Sequence, residues 1–310
     1  MNLEEFKQIF WMEWLHRFFG RGIGVAFAIP MIYYIARGAF TKRMAGVLAA
    51  FLALGGAQGA LGWYMVKSGL EVGEDEVPRV SQYRLAAHLG TAFVIYIGLL
   101  WTALRVLKPE PIMVTTRIPG LIRFGGPALF AMTFTTAMVG AFVAGLDAGM
   151  VYNEFPWMGW HDGPEDKRRI DPAEYWSKEP AWKNFFENSA TVQFNHRWLV
   201  RSFTHTYRTY DTDLSNVQGM STFTFAQILV AYVLTRGKHL PKEITRWVTI
   251  TGLMSSLQAA LGIATLLYLV PTPLAATHQA GSLALLSFST CLMYSLARAR
   301  GVPVPPMPIK

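Results

Sequence analysis

The residues of this chain imply an all-α protein that crosses a membrane several times, and three observations carry that reading. Hydrophobic residues make up 52% of the 310 positions and charged residues only 15%, against the roughly 25% that soluble domains use to cover their surface. Six separate stretches hold the about 20 mostly apolar residues that a helix needs to cross the hydrocarbon core. The Lys and Arg residues gather in alternate turns between those stretches. Other classes fall on the same numbers: Gly 27 and Pro 17 form no repeat, one Cys makes no disulfide framework, and 14% aromatic content is too rich for a disordered chain. The net charge of +8 and the pI of 9.6 then set orientation in the bilayer and are not a nucleic-acid footprint.

Taken in order, residues 1–10 read as an amphipathic run with neither a signal peptide nor an Arg/Ser-rich transit segment, leading into a span at 16–36. Spans at 44–66, 85–107 and 121–146 follow, then the long, on balance acidic loop 147–193, and spans at 247–270 and 274–296. A seventh apolar stretch, 220–235, holds only 16 residues. Arg37, Lys42 and Arg43 follow the first span; Arg105, Lys108, Arg117 and Arg123 follow the third; Arg236, Lys238, Lys242 and Arg246 precede residue 247; Arg298, Arg300 and Lys310 end the chain. These basic turns face the cytoplasm or the mitochondrial matrix. Glu71, Glu74, Asp75 and Glu76 lie in an opposite, outer connection. Cys291, alone in an apolar helix, reads as a small hydrophobe.

The chain repeats itself. Glu13-Trp-Leu-His16-Arg17 returns 180 positions later as Gln193-Phe-Asn-His196-Arg197, Gln58-Gly-Ala-Leu-Gly62 returns 200 positions later as Gln258-Ala-Ala-Leu-Gly262, and Ala86-Ala87-His88 returns as Ala276-Thr277-His278. Duplicated helical units are a common way to build a membrane protein around a buried site. The second unit holds 20 more residues between its first two markers, and segment 200–219 accounts for them: it is polar, carries Arg201, Arg208, Asp211 and Asp213, and interrupts an apolar run. Charges inside a span cost a few kcal/mol each, roughly. The segment reads as an insertion, such as a retained in-frame intron would make; the other reading is a surface loop with a short re-entrant helix. Removing it joins 196–199 to 220–235 as one span. The chain then divides into an N-terminal unit, 1–108, with three helices, and a C-terminal unit, 109–310, with four. By symmetry a first helix of the N-terminal unit is missing, so that seven of eight spans are visible.

Outside His161, His205 and His239, four histidines remain: His16, His88, His196 and His278, each near the outer start of a span and therefore at one depth. An ionisable side chain at that depth needs a partner and is a functional candidate. Zinc or copper would call for a third or fourth His, Cys or carboxylate, whereas heme iron needs two axial imidazoles in an apolar sleeve. The repeat pairs His16 with His88 and His196 with His278 as two heme sites. Gly20, Gly22 and Gly24, with Gly55 and Gly59, are suited to close approach of a ring, and equally to helix packing alone. Arg17 and Arg197 suit heme propionates. Glu13, three residues before His16 and so on its face, matches Gln193 in the other unit. It makes the N-terminal site the reactive one, with a helix cap as the plainer role for Glu13; Gln193 is expected to tolerate a carboxylate.

At these residues the chain resembles the heme A synthase family of the mitochondrial and alphaproteobacterial type. The stretches that carry the resemblance are MEWLHRFFGRGIG, QGALGWYMVKSGL, RVSQYRLAAHLG, GLDAGMVYNEFPWMG, FFENSATVQFNHR and PTPLAATHQAGSLALL. The resemblance implies an eight-helix fold of two four-helix halves and an enzyme that oxidises the methyl group of heme O to the formyl of heme A for cytochrome c oxidase assembly. It implies that Glu13, His16 and Arg17 match the family's E-x-x-H-R motif, with Glu13 catalytic and Arg17 and Arg197 as propionate contacts. His16 and His88 would flank the substrate heme, and His196 and His278 would hold a heme b cofactor. The Cys pair of some bacterial members is missing. Further expectations are a mitochondrial inner membrane location (alternatively a bacterial plasma membrane), a ferredoxin-type electron donor, heme O synthase and oxidase assembly factors as partners, a homo-oligomer, and no nucleic acid. The rival expectations are a diheme electron-transfer cytochrome resembling cytochrome b561, with hemes toward both membrane faces, and a transporter built on inverted repeats.

Overall fold

The computed structural model describes residues 3–69, 79–114, 117–155, 158, 172–200 and 222–299. Six helices among them are long and apolar enough to cross a membrane: α1 (Leu3–Ala36), α2 (Lys42–Lys67), α3 (Gln82–Leu107), α4 (Gly120–Gly145), α9 (Lys242–Leu267) and α10 (Thr272–Ala299). Between α4 and α9 lie the short helices α5 (Pro172–Tyr175) and α6 (Asn184–Glu187), then α7 (Ser189–Val200) and α8 (Thr222–Arg236). The chain is a multi-pass all-α membrane protein. Helices satisfy every backbone group internally, which is what a lipid environment demands. The amphipathic run at the start is not a separate element: α1 continues through it, 13 residues ahead of the expected start of the span.

Local chemistry sets the ends. Gly38 takes φ +65 one residue beyond the turn that closes α1, a left-handed stop that L side chains resist. Thr41 Oγ1 accepts from Met44 N and caps α2, and Asn188 Oδ1 accepts from Ala190 N (2.9 Å) and Thr191 N to cap α7. Thr133 and Thr136 turn their hydroxyls back onto the carbonyls one turn earlier in α4, so their polarity is met within the helix.

α4, α8, α9 and α10 pack as a ring, with α3 against α4 and α10, and with α1 joined through α2. The apolar core sits at the inner end of this ring: Ile118, Ile122, Leu129, Phe225, Leu229, Val233, Ile244, Val248, Leu292 and Leu296 touch there. Lipid is as apolar as these side chains, so close packing, more than water exclusion, holds the helices together. Gly125 and Gly126 of α4 admit Leu229 and Leu296 so closely that any side chain would collide with them. At the inner surface Arg298, 6% exposed, bonds both oxygens of Glu243 (3.0 and 3.2 Å) and the Glu110 carbonyl (2.7 Å). That tie fastens α10 to α9 and to the α3–α4 connection.

α3 and α10 run in the same direction, side by side. Tyr96 Oη and Ser287 Oγ lie 2.8 Å apart, and the rings of Trp101 and Tyr294 lie 5.1 Å apart. The repeat is therefore parallel, unlike that of an inverted-repeat transporter.

α7 and α8 occupy successive levels of α4. The carbonyl of Thr136 meets His196 of α7 while its hydroxyl lies 2.9 Å from Thr222 Oγ1, at the start of α8; α8 then descends past Gly125. Twelve and 15 residues stacked this way match the 26 of the neighbouring single helices. Most of segment 200–219 lies outside the described residues, but the stacking supports reading it as an insertion within one crossing. Deleting 200–219 is expected to raise the yield of monodisperse protein in detergent; a deletion variant that fails to insert into membranes would make the segment part of the fold.

Candidate functional site

In the C-terminal unit the ring of His196 on α7 lies 6.5 Å from that of His278 on α10, centroid to centroid, at 89°. His196 Nδ1 is 3.1 Å from the Thr136 carbonyl. A carbonyl only accepts, so Nδ1 carries the proton and Nε2 keeps its lone pair. Gly140, four residues further along α4 and on the same face, is the seat of that ring: a Cβ there would stand 3.0 Å from His196 Cε1. His278 rests in the same way on Gly262 of α9, where a Cβ would stand 2.9 Å from Cε1. One turn earlier on α9, Gln258 Nε2 donates to the His278 carbonyl (2.5 Å) and lies 3.1 Å from its Nδ1.

The N-terminal unit repeats the arrangement. His16 and His88 are 6.5 Å apart at 67°. His88 rests on Gly62, where a Cβ would stand 2.8 Å from Cε1, and Gln58 Nε2 donates to the His88 carbonyl at 2.7 Å. The difference is in the ring nitrogens. His88 Nδ1 and Gln58 Oε1 are both buried and neither has a hydrogen-bond partner among the described residues. The His16 ring, on an exposed stretch of α1, likewise makes no hydrogen bond there.

Both pairs stand level. His88 and His278 each lie six residues into their helices, and Tyr96 and Ser287, which touch, lie eight and nine residues further on. At about 1.5 Å per residue the two histidines differ in depth by less than one turn. Two imidazoles bonded to one metal from opposite sides, each through a nitrogen about 2 Å away, hold their centroids about 6.3 Å apart. Edge-to-face ring packing covers about 4.5–7 Å, so distance alone does not decide. A free nitrogen bears on it: Nε2 of His196, which keeps its lone pair, makes no hydrogen bond among the described residues, and a lone pair in an apolar phase needs a partner. At His278 the atom beside Nδ1 is the amide nitrogen of Gln258, a donor, so there Nδ1 accepts. No group of three or more His, Cys, Asp or Glu side chains that could hold a metal ion forms among the described residues.

The flanking residues are put to different uses in the two units. Gln193, 2% exposed, donates to the carbonyls of Ala148 (2.7 Å) and Tyr152 (3.0 Å). Arg197 donates to those of Tyr152 and Glu154. Together they clamp the 148–154 segment over the end of α7. The expectation that Gln193 tolerates a carboxylate is corrected by this contact: a Glu would face two carbonyls with nothing to donate. Asn188 draws the outer loop in from the other side, bonding the carbonyls of Glu174 and Tyr175. Tyr175 in turn donates to Asn195 Oδ1 at 3.0 Å. Burial pushes the Tyr175 phenol above its ordinary value, so it stays a neutral donor. In the N-terminal unit Glu13 and Arg17 instead pair with each other, both about half exposed.

Gly20, Gly22, Gly24, Gly55 and Gly59, the glycines suited to close approach of a ring, have nothing within 4 Å of a built Cβ, whereas the imidazoles rest on Gly62, Gly140 and Gly262. Gln58 and Gln258 were also read only as markers of the repeat. The signal was present: Gln and Gly four residues apart share one helix face, and that pair recurs in both units.

The model of the cytochrome oxidase assembly protein family matches residues 1–206 and 217–290, so that 207–216 fall between the matched parts. The chain is 46% identical over 302 residues to the heme A synthase of Mus musculus, covering 96% of this chain and 66% of that protein. It is 40% identical to the heme A synthase of Arabidopsis thaliana, covering 96% and 60%, and 38% identical to that of Nitrosospira multiformis, covering 96% and 74%. The chain thus spans a little under two thirds of the mouse protein's length.

The glycine seats yield a test. Gly262→Val is expected to push the His278 ring out of line and lower the pigment-to-protein ratio of the purified protein severalfold. Gly46→Ala on α2, where a Cβ meets nothing within 4 Å, is expected to leave that ratio unchanged. Equal pigment in the two variants would mean that Gly262 does not position the ring.

Proposed function

The chain belongs to the cytochrome oxidase assembly protein family, and on that footing we propose that it is a heme A synthase, oxidising the methyl group of heme O to the formyl group of heme A. The substrate heme lies between His16 and His88 in unit 1–108, and a resident heme b between His196 and His278 in unit 109–310. The observation that carries the proposal is the pair of repeat-related histidine couples with one separation, 6.5 Å, at one depth. The level arrangement also weighs against the diheme electron carrier, whose hemes would lie toward opposite faces.

The residues fit the group. Each couple offers two imidazoles, an apolar helical surround and, behind three of the four rings, a glycine that leaves room for the ring. The difference between the units supports the assignment of roles. His196 has the Thr136 carbonyl at its Nδ1, an acceptor that orients a ligand and raises its basicity, as a permanent cofactor requires, and His278 is held in place by the Gln258 amide nitrogen. His88 Nδ1 has no partner among the described residues, which suits a heme that must enter as substrate and leave as product.

When bound, the iron porphyrins supply the oxidation chemistry and the protein positions and tunes them. His16 and His88 orient the substrate; Arg17 pairs with Glu13 and turns from it toward a propionate. Glu13, the proton-handling group, takes up or returns a proton at a carboxylate oxygen one turn from His16. The proposal includes a ferredoxin-type electron donor, heme O synthase and oxidase assembly factors as partners, a homo-oligomeric state, and the mitochondrial inner membrane as the location, with a bacterial plasma membrane as the alternative.

Replacing His196 or His278 with Ala is expected to abolish the low-spin bis-histidine absorption spectrum of the purified protein; survival of that spectrum in both variants would overturn the ligand assignment. Glu13→Gln in the intact protein is expected to keep heme binding while unreacted heme O or a partly oxidised product accumulates among the extracted pigments. Normal heme A output from that variant would leave Glu13 a helix-surface residue and no more.

A further inference from the structure

At the inner end of the bundle a cavity of about 280 Å³ opens between the end of α3 and the start of α9, lined by Lys108, Lys242, Glu243, Arg246 and Trp247. α10 holds both sides in place. Tyr294 Oη donates to the Lys108 carbonyl at 2.8 Å, Ser295 Oγ donates to Glu243 Oε1 at 2.9 Å, and the Trp247 ring stacks on Phe288 with centroids 6.2 Å apart. The acid in the cavity is already spent: Arg298 bonds both Glu243 oxygens at 3.0 and 3.2 Å, and Lys108 Nζ reaches Oε1 only at 4.0 Å. Lys242 and Arg246 make no ion pair among the described residues. The cavity therefore gathers uncompensated positive charge from two separate connections, and like charges held together call for an anion.

The repeat supplies an internal comparison. A preference for basic residues on the inner side explains cations in these turns, and at the offset of 200 that relates Gln58 to Gln258, Lys42 and Arg43 meet that preference opposite Lys242 and Glu243. Opposite Arg246 and Trp247 stand only Gly46 and Val47. Lys108 matches Arg298, at the offset that relates His88 to His278, and the Glu243 bond consumes Arg298. Orientation in the bilayer thus accounts for the basic turns, but not for a cation and an aromatic ring added at 246 and 247 beside an unspent Lys108.

We propose that this cavity binds the phosphate headgroup of an anionic phospholipid from the inner leaflet. A phosphodiester presents acceptor oxygens only; Lys108 and Lys242 meet it as point charges, and the Arg246 guanidinium offers paired N–H donors. Trp247 suits a wall that is apolar on one side and wet on the other. What selects a lipid over a free phosphate is α9 itself. Leu253 and Leu257 follow Arg246 on the same helix face, about two and three turns further on, and are 68% and 53% exposed. They carry apolar surface from the cavity toward the middle of the bilayer, where an acyl chain lies. Basic pockets between spans on this side of a membrane suit such headgroups. A lipid seated there touches α3 of unit 1–108 and α9 of unit 109–310, and so fastens the two units at their inner end. The site stands whatever the histidine couples hold.

The test is the thermal stability of the purified, delipidated protein in detergent. Added phosphatidylglycerol is expected to raise the apparent melting temperature by a few degrees, as binding to the folded state requires, and phosphatidylcholine at the same concentration is not. Lys242→Gln combined with Arg246→Gln, and separately Lys108→Gln, are expected to lose most of that rise. Lys42→Gln combined with Arg43→Gln removes the same charge at the repeat-related turn and is expected to keep it. An equal loss in the Lys42 and Arg43 variant means diffuse attraction to a basic surface and overturns the site. A rise of equal size with inorganic phosphate means that the cavity takes the free anion and overturns the lipid. No rise in the parent, or a full rise in the cavity variants, overturns the proposal outright. Because Lys108 stands on a different helix from Lys242 and Arg246, the test holds even if one of the two cavity variants is not recovered.

Discussion

A neutral imidazole in an apolar phase has one donor and one acceptor to satisfy, and most of the outer half of this bundle is arranged around that demand. The inner half needs no such provision: Ile122, Leu129, Leu229, Ile244 and Leu292 fill it with side chains that touch one another. At the outer level the helices stand apart by the width of two rings, and what touches the rings is glycine, carbonyl or carboxamide. Gly62, Gly140 and Gly262 each place bare backbone behind a ring, because any larger residue would force the imidazole off its line. The polar atoms nearby, the Thr136 carbonyl and the Gln258 amide, take the nitrogen that faces away from the partner ring. The solid inner end makes this arrangement rigid. The Gly126–Leu296 contact and the Arg298–Glu243 tie fix α10 against α4 and α9, and α7 rests on α4 through His196 and the Thr136 carbonyl, so the separation of the His196 and His278 rings follows from where α4 and α10 are held.

The parts of this arrangement that depend on period and hydropathy were legible in the sequence, and the parts that depend on azimuth were not. Runs of apolar residues mark five of the six long helices within a few residues, and the end but not the start of α1. The four histidines stood out because ionisable side chains are rare in spans, and the repeat paired them as the structure does. Which glycine meets which ring is a matter of rotation about the helix axis. In a helix apolar on all sides no moment marks the inward face, so nothing in the hydropathy singles out Gly62 as the seat of an imidazole. A polar residue and a small one at i and i+4, as in Gln58 and Gly62, carry the missing azimuth, since both must face the same neighbour. The amphipathic run at the N-terminus, where Glu4, Glu5 and Lys7 break the hydropathy, leads into the first span as the first turns of α1.

The two units start from one pattern and diverge where proton and ligand traffic would differ. Position 193 holds an amide that donates to the carbonyls of Ala148 and Tyr152, and position 197 holds a guanidinium that donates to those of Tyr152 and Glu154; both are spent on closing the 148–154 segment over the C-terminal couple. Position 13 holds a carboxylate, which has nothing to donate, and position 17 holds the cation that balances it. The exposed i,i+4 pair contributes little to stability, typically about 0.3–0.5 kcal/mol, so its worth is chemical: it keeps an ionisable oxygen one turn from His16 without committing it to a structural bond. The same divergence is seen in the second ligands. His278 has an amide at its outer nitrogen and His88 has none, although the glutamines behind them are repeat-related. An anchored imidazole with a closed loop above it favours retention of what it binds, while an unanchored imidazole one turn from the Glu13–Arg17 pair favours exchange. On the proposed reading, the division of labour between a fixed cofactor and a passing substrate therefore does not need different folds. It needs a carboxylate in place of one amide at the helix end, and one hydrogen bond fewer behind one ring.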